Sequence, residues 1–146
     1  MVDFSDLHAQ NHRITELSNV FLYLIRERSM CDTECARSLF FEYVTKVREH
    51  VELVDARLCT RLIQGQNRQM KNTADRFLSG STEIKRIFAA YLKDWCDERK
   101  GELRIADHEA FLKDTNEMFA LVLDRIQRET EHLYPQVRKL QEKAAA

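Results

Sequence analysis

The chain has 146 residues, 32% of them charged, and its 23 basic and 24 acidic side chains leave a formal net charge of -1. This length is typical of one domain with its own core. The 3 Gly and 1 Pro supply few of the turns that a sheet-rich fold needs. The basic residues are dispersed among acidic ones, which argues against a nucleic acid as partner.

The chain also lacks the hydropathy pattern of a membrane protein. No apolar run approaches the roughly 20 residues that span a bilayer. The opening residues MVDFSD are polar, unlike the start of a secretory signal peptide. We therefore expect no membrane contact and a cytoplasmic location.

Apolar residues recur at alternating spacings of three and four along most of the chain, which is the pattern of helices with one buried face. Four such segments are present. The second is the most regular, and its inward positions are Phe40, Val44, Val47, Val51, Val54, Leu58 and Leu62.

The first predicted helix covers about 5–28, with Ser5 as its N-cap. A short turn follows, and Asp32 or Thr33 caps the second helix, over about 32–64. Cys31 and Cys35 flank this turn and are four residues apart. We expect free thiols at both, because the four cysteines form no CxxC pair; a redox or metal pair is the alternative.

The third predicted helix covers about 67–99 and contains the triplet Ser79-Gly80-Ser81, which by itself favours a break. The apolar pattern keeps its phase across the triplet, so we expect one long helix with a kink at Gly80. The fourth helix covers about 105–141, and Pro135 is expected to end or bend it.

Four long helices joined by short turns predict an all-α fold, an up-down-up-down antiparallel four-helix bundle in which residues 1–146 form one domain. Polar residues on an inward stripe need partners, because unpaired burial is costly. Distances from the first turn place Asn11 and His50 at a similar depth. Arg125 and Glu129 are four apart, so they can pair on one helix face, and Thr115 can bond back to its own helix and needs no function.

Two segments, YVTKVREHVELVDARL at 43–58 and LVLDRIQRETEHLYP at 121–135, resemble the paired metal-ligand helices of the hemerythrin-like, HHE cation-binding superfamily. There, each segment has a His, three residues and then a carboxylate, often with an aromatic-Pro ending. The resemblance implies a helical bundle that encloses two iron ions.

Carried over by position, the resemblance implies a damaged metal site. His50 matches the family's His, but Val54 stands in its carboxylate slot and Asp55 points about 100° away. Arg125 stands in the second His slot and Glu129 keeps the carboxylate. Asn11 replaces the His of the first helix. We therefore expect the Arg125 guanidinium to take the place of the missing metal cation.

Two functions follow. The favoured one is a non-enzymatic regulatory bundle, free of cofactors, that binds a protein partner and has its polar site at His50, Arg125, Glu129 and Asn11. The chain is similar here to bacterial anti-sigma regulators that bind the primary sigma factor, although it lacks their Asp-Arg-Trp pattern. The alternative is an iron-binding oxygen or redox sensor with His50 and Glu129 as metal ligands. The sequence contains no glycine-rich phosphate loop and no nucleophile with an identified base.

Overall fold

The computed structural model describes residues 2–145, and the fold is all-α, as predicted. Two of the helical rods contain a wider π turn, so that each consists of three consecutive elements. The helical elements in chain order are α1 (Phe4–Leu24), α2 (Glu34–Leu53), π1 (Val54–Cys59), α3 (Thr60–Gln64), α4 (Arg68–Trp95), α5 (His108–Arg128), π2 (Glu129–Leu133) and α6 (Tyr134–Ala145).

Side-chain caps explain where the helices begin. Thr33 caps α2, Asn67 caps α4 and Asp107 caps α5, each by accepting a hydrogen bond from a backbone N–H of the first turn. The prediction of Ser5 as the cap of α1 is wrong. Asp3 caps this helix by accepting from the Ser5 backbone N–H at 2.8 Å, and its carboxylate also suits the positive end of the helix dipole.

The turn between α1 and α2 is longer than predicted, because α1 ends at Leu24 and a short 3-10 helix, Arg28–Asp32, precedes α2. Cys31 is buried in this turn, with its Sγ 3.5 Å from the Ile25 carbonyl oxygen. Cys35 is exposed, and both thiols are free. The two side chains therefore occupy different environments, which argues against the alternative of a redox or metal pair.

Helix α4 is continuous through Ser79-Gly80-Ser81, which confirms the prediction of one long helix. It ends at Trp95, four residues before the predicted end. There the chain forms a small antiparallel pair of strands, Cys96–Asp97 (β1) and Glu102–Leu103 (β2). Gly101 has a φ of 64° in this hairpin, a left-handed conformation that glycine adopts without a steric penalty.

The last rod continues through Pro135 to Ala145, so the proline does not end the helix, and the rod extends beyond the predicted end at 141. Pro135 directly follows π2, where the Tyr134 backbone N–H bonds to the Glu129 carbonyl five residues earlier. Proline has no N–H to donate, and here the backbone hydrogen bonds have already changed from the four-residue spacing of an α-helix to the five-residue spacing of a π turn. The wider turn also makes room for the proline ring.

The buried side chains form two apolar clusters. The larger, which we refer to as the aromatic cluster, includes the rings of Phe21, Phe40 and Phe119. The smaller contains Leu58 and Tyr134. Helix α1 packs against α2 and α5, while α4 packs against π1, α3 and α5. Within residues 2–145, no helix has the length and apolar character needed to cross a membrane.

Candidate functional site: a buried polar network

A group of three ionisable side chains lies inside the fold. Glu129 is fully buried, and its Oε2 accepts a hydrogen bond from Arg125 Nε at 2.8 Å. Its Oε1 lies 2.7 Å from His50 Nε2. Arg125 and His50 are themselves only 4% and 2% exposed. Both carboxylate oxygens are therefore held by basic groups of the same chain, the strongest class of protein hydrogen bond.

The Arg125 guanidinium is fixed in two further directions. Its Nη1 donates to the Phe77 carbonyl oxygen at 2.9 Å, and its Nη2 donates to Ser81 Oγ at 2.7 Å. The guanidinium carbon also lies 4.9 Å from the centre of the Phe77 ring, within the range of a cation–π contact. Helix α4 thus holds the side chain that neutralises Glu129.

Gly80 makes this contact sterically possible. A Cβ atom at position 80 would lie 2.7 Å from Arg125 Nη1, closer than carbon and nitrogen atoms approach without displacement. The glycine that reads as a helix breaker in the sequence is therefore explained by packing. It leaves space for Arg125 between α4 and α5.

The hydrogen bonds continue beyond Arg125. Ser81 Oγ donates to Asp55 Oδ1 at 2.6 Å, and Lys85 Nζ donates to Asp55 Oδ2 at 3.0 Å. On the other side, His50 Nδ1 lies 3.1 Å from Gln10 Oε1. We refer to the connected set as the polar network; its members are Gln10, His50, Asp55, Ser81, Lys85, Arg125 and Glu129.

Both π turns lie at the level of the polar network. The turn π1 begins four residues after His50 and includes Asp55, and π2 begins at Glu129 itself. A π turn carries an extra residue, so side chains on its two sides change their direction relative to a regular helix. Turns of this kind are frequent at functional sites, which marks this level as the candidate site.

The structure brings together three of the four predicted site residues, namely His50, Arg125 and Glu129. Asn11 is bonded elsewhere. Its Nδ2 donates to the Tyr134 hydroxyl at 3.2 Å, and its buried Oδ1 has no partner among the described residues. The neighbouring Gln10 makes the contact to His50 instead, because one residue along a helix turns the side chain by about 100°.

Sequence reasoning missed the α4 half of the polar network. Ser81 lies on the inward stripe of α4, and a small polar residue beside a glycine was the available signal. Asp55, which was predicted to point about 100° away from the carboxylate slot at Val54, bonds to Ser81 and Lys85 of α4. Thr115, which can bond back to its own helix, instead pairs with α4, because its Oγ1 lies 2.7 Å from the Tyr91 hydroxyl.

The residues around Glu129 do not fit a pair of metal ions. Among the four positions that align with the family's ligands on these two helices, only His50 and Glu129 have metal-binding side chains. The other two positions are Val54 and Arg125. Within residues 2–145, no group of three or more His, Cys, Asp or Glu side chains is placed to hold a metal. A guanidinium already lies against the carboxylate, and a metal ion at that position would be repelled by it.

Burial also affects titratable groups near the polar network and in the larger apolar cluster. Burial raises the pKa of the Cys59 thiol to about 12, and it raises the pKa of the Cys96 thiol to about 11. Burial raises the pKa of Tyr134 to about 12, and the charge of Glu129 acts in the same direction. The reactive thiolate form is therefore disfavoured at both cysteines, so neither has the environment of an activated nucleophile.

A groove on the surface lies between α2 and α4, close to Lys85 of the polar network. It encloses about 390 Å³, and its walls are Val47, Val51, Ile84 and Phe88. Its rim is charged and includes Glu49 and Glu52. We refer to it as the apolar groove.

Comparison of the sequence with protein-family models, with curated proteins and with solved structures found no match.

Proposed function

We propose that the chain is a hemerythrin-like bundle in which an arginine replaces the metal centre, and that it works as a non-catalytic module binding a protein partner. One observation carries the proposal: the buried Glu129 has both oxygens bonded to Arg125 and His50. The carboxylate that the resemblance assigns to iron is thus neutralised by the chain itself, and the fold is left free for a role that needs no metal.

The proposal includes an up-down-up-down order of the four rods. Contacts between α4 and α5 run in opposite directions along the two helices, since Tyr91 bonds to Thr115 while Phe77 bonds to Arg125. The bond between Gln10 and His50 and the stacked rings of Phe21 and Phe40 relate α1 to α2 in the same way. These contacts support an antiparallel bundle.

The resemblance to anti-sigma regulators supports a regulatory protein contact, because those relatives are bundles that bind the primary sigma factor. For this chain we propose the apolar groove as the docking surface and an amphipathic helix of the partner as its occupant. The two basic residues of the groove rim are already in ion pairs within the chain: Lys85 pairs with Asp55, and Arg48 pairs with Glu98.

The two glutamates of the groove rim, Glu49 and Glu52, have no ion pair among the described residues. Charge complementarity therefore favours a helix with an apolar face flanked by Lys or Arg.

Metal content tests the first part of the proposal. Protein expressed in iron-supplemented medium is expected to be colourless, with far less than one iron per chain and no near-ultraviolet charge-transfer absorption. About two irons per chain, together with an oxygen-dependent spectrum, would overturn the proposal. That result would favour the sensor in which His50 and Glu129 bind metal.

Comparative affinity capture tests the docking surface. The bait proteins are the wild type, the groove variant Glu49→Lys/Glu52→Lys and the control variant Glu117→Lys/Glu142→Lys, which reverses two exposed charges away from the groove. We expect the wild type and the control to retain one partner that the groove variant loses. Equal capture by all three proteins would contradict the assignment of the groove.

A further inference from the structure

A second cavity, of about 380 Å³, lies between α4 and the C-terminal half of the last rod. It is separate from the apolar groove, and its lining is mainly polar and basic. Three arginines and one histidine line it, and no carboxylate does. We refer to it as the arginine pocket; the residues that matter for its chemistry are Thr73, Arg76, Gly80, Arg125, Arg128 and His132.

The positive charge of the arginine pocket is only partly balanced. Arg76 makes no ion pair among the described residues. Arg128 Nε lies 3.1 Å from Asp124 Oδ2, but both side chains are more than half exposed, and such pairs are weak in water. The chain as a whole has a net charge of -1, so this concentration of cationic groups is a local feature of one cavity.

Arg125 gives the pocket a rigid donor. A guanidinium has five N–H groups, and three of those of Arg125 are used by Glu129, by the Phe77 carbonyl and by Ser81. Two N–H groups remain. Gly80 also lines the cavity, and its lack of a side chain lets Arg125 Nη1 lie close to α4 at the cavity wall.

We propose that the arginine pocket binds a small oxyanionic ligand, a compound with a phosphoryl group or with several carboxylates. Guanidinium groups present paired donors that match the oxygens of both. The cavity has the size of a small-molecule site. Because Arg125 belongs both to the pocket and to the polar network, the bound anion contacts the same side chain that neutralises Glu129. The proposal does not depend on the protein partner.

Titration calorimetry with two probes tests this site. Pyrophosphate represents the phosphoryl source and citrate the carboxylate source, both in metal-free buffer at about 0.15 M salt to screen surface charge. We expect saturable binding of one molecule per chain for at least one probe. Tighter binding of pyrophosphate identifies a phosphoryl ligand, and tighter binding of citrate identifies a polycarboxylate.

Two double variants decide whether the pocket is responsible. Arg76→Gln/Arg128→Gln removes two charges from the pocket and leaves Arg125 in place; Lys71→Gln/Arg99→Gln removes two exposed charges elsewhere. We expect the pocket variant to bind about tenfold more weakly or worse and the control to stay within about twofold of wild type. Absence of saturable binding by the folded wild type, or equal loss in both variants, overturns the proposal.

Discussion

The aromatic cluster and the centre of the polar network, formed by His50, Arg125 and Glu129, are both buried, but they are stabilised in different ways. In the cluster, Phe21, Phe40 and Phe119 are fully buried, and the Phe21 ring stacks on Phe40 and lies tilted against Phe119. Their contribution comes from the apolar area removed from water and from close packing. At the centre of the polar network, the buried charges of Arg125 and Glu129 are tolerated only because specific partners lie within hydrogen-bond distance.

Within residues 2–145, buried polar atoms that lack a hydrogen-bond partner occur outside the polar network but not within it. Among the described residues, the buried side-chain polar atoms without a hydrogen bond are Asn11 Oδ1, Ser18 Oγ and Tyr43 Oη. All three are neutral, and none belongs to the polar network. An unpaired neutral group costs about 1–3 kcal/mol, whereas an unpaired buried charge costs more. The fold accepts the first kind of defect and avoids the second.

The largest effect is expected in the aromatic cluster. Phe119 is fully buried and stacks on Tyr43 with ring centres 3.9 Å apart. Phe119→Ala should lower the free energy of unfolding by about 4 kcal/mol, because the loss of apolar contact adds to the cost of a cavity. Urea unfolding followed by circular dichroism measures this loss. A loss below about 1 kcal/mol would show that the cluster is loosely packed.

Removal of one charge should rank second. Arg125→Leu leaves the fully buried Glu129 with only His50 as partner and should cost about 3 kcal/mol. The same urea experiment applies, with Arg128→Leu on the exposed face of α5 as the matched control. If both variants unfold like wild type, the network carries no buried charge of consequence.

Substitution of Gly80 should change the free energy of unfolding by a smaller amount and in the direction opposite to that usual for a helical glycine. Gly→Ala inside a helix normally stabilises by about 1 kcal/mol. At position 80 the new Cβ would lie 2.7 Å from Arg125 Nη1, so Gly80→Ala should instead destabilise by about 1–2 kcal/mol. Ser79→Ala, next to it and exposed, should be neutral or slightly stabilising. Stabilisation by Gly80→Ala would show that Arg125 does not need the space.

Alkaline pH should weaken the fold gradually. Burial raises the pKa of Cys59 from an ordinary value of 9.0 to about 12 and that of Cys96 to about 11. The unfolded chain therefore releases protons from pH 9 upward that the folded chain retains. This contribution to stability is complete below pH 9 and is lost as the pH rises towards 12.

Urea midpoints between pH 8 and pH 11 test this dependence. Cys59→Ala should flatten the slope, because it removes one of the thiols whose pKa burial raises. A midpoint that does not change with pH in the wild type would contradict the predicted burial of both thiols.

The sequence predicted the parts of this molecule that follow helical periodicity. The stripe from Met70 to Trp95 outweighed the local breaker at Gly80, and α4 is continuous. The spacing of Arg125 and Glu129 predicted their ion pair. These features depend on the positions of residues along one regular helix, which the sequence contains directly.

Features that depend on a departure from the regular helix were not predictable in this way. The two π turns leave no mark in the apolar pattern, yet π2 explains why the helix continues through Pro135. Gln10 rather than Asn11 meets His50, because a small error in helix phase exchanges neighbouring residues. Tyr91 and Thr115 are paired across two helices, which a single stripe does not specify.

The central claim is that Arg125 is present to neutralise a buried carboxylate, and a double-mutant cycle tests it most directly. The free energies of unfolding of wild type, Arg125→Leu, Glu129→Leu and the double variant give the coupling between the two side chains. We predict that the double variant is more stable than Arg125→Leu and that the coupling is about 2 kcal/mol or more. Additive losses, with the double variant the least stable of the four, would contradict the claim.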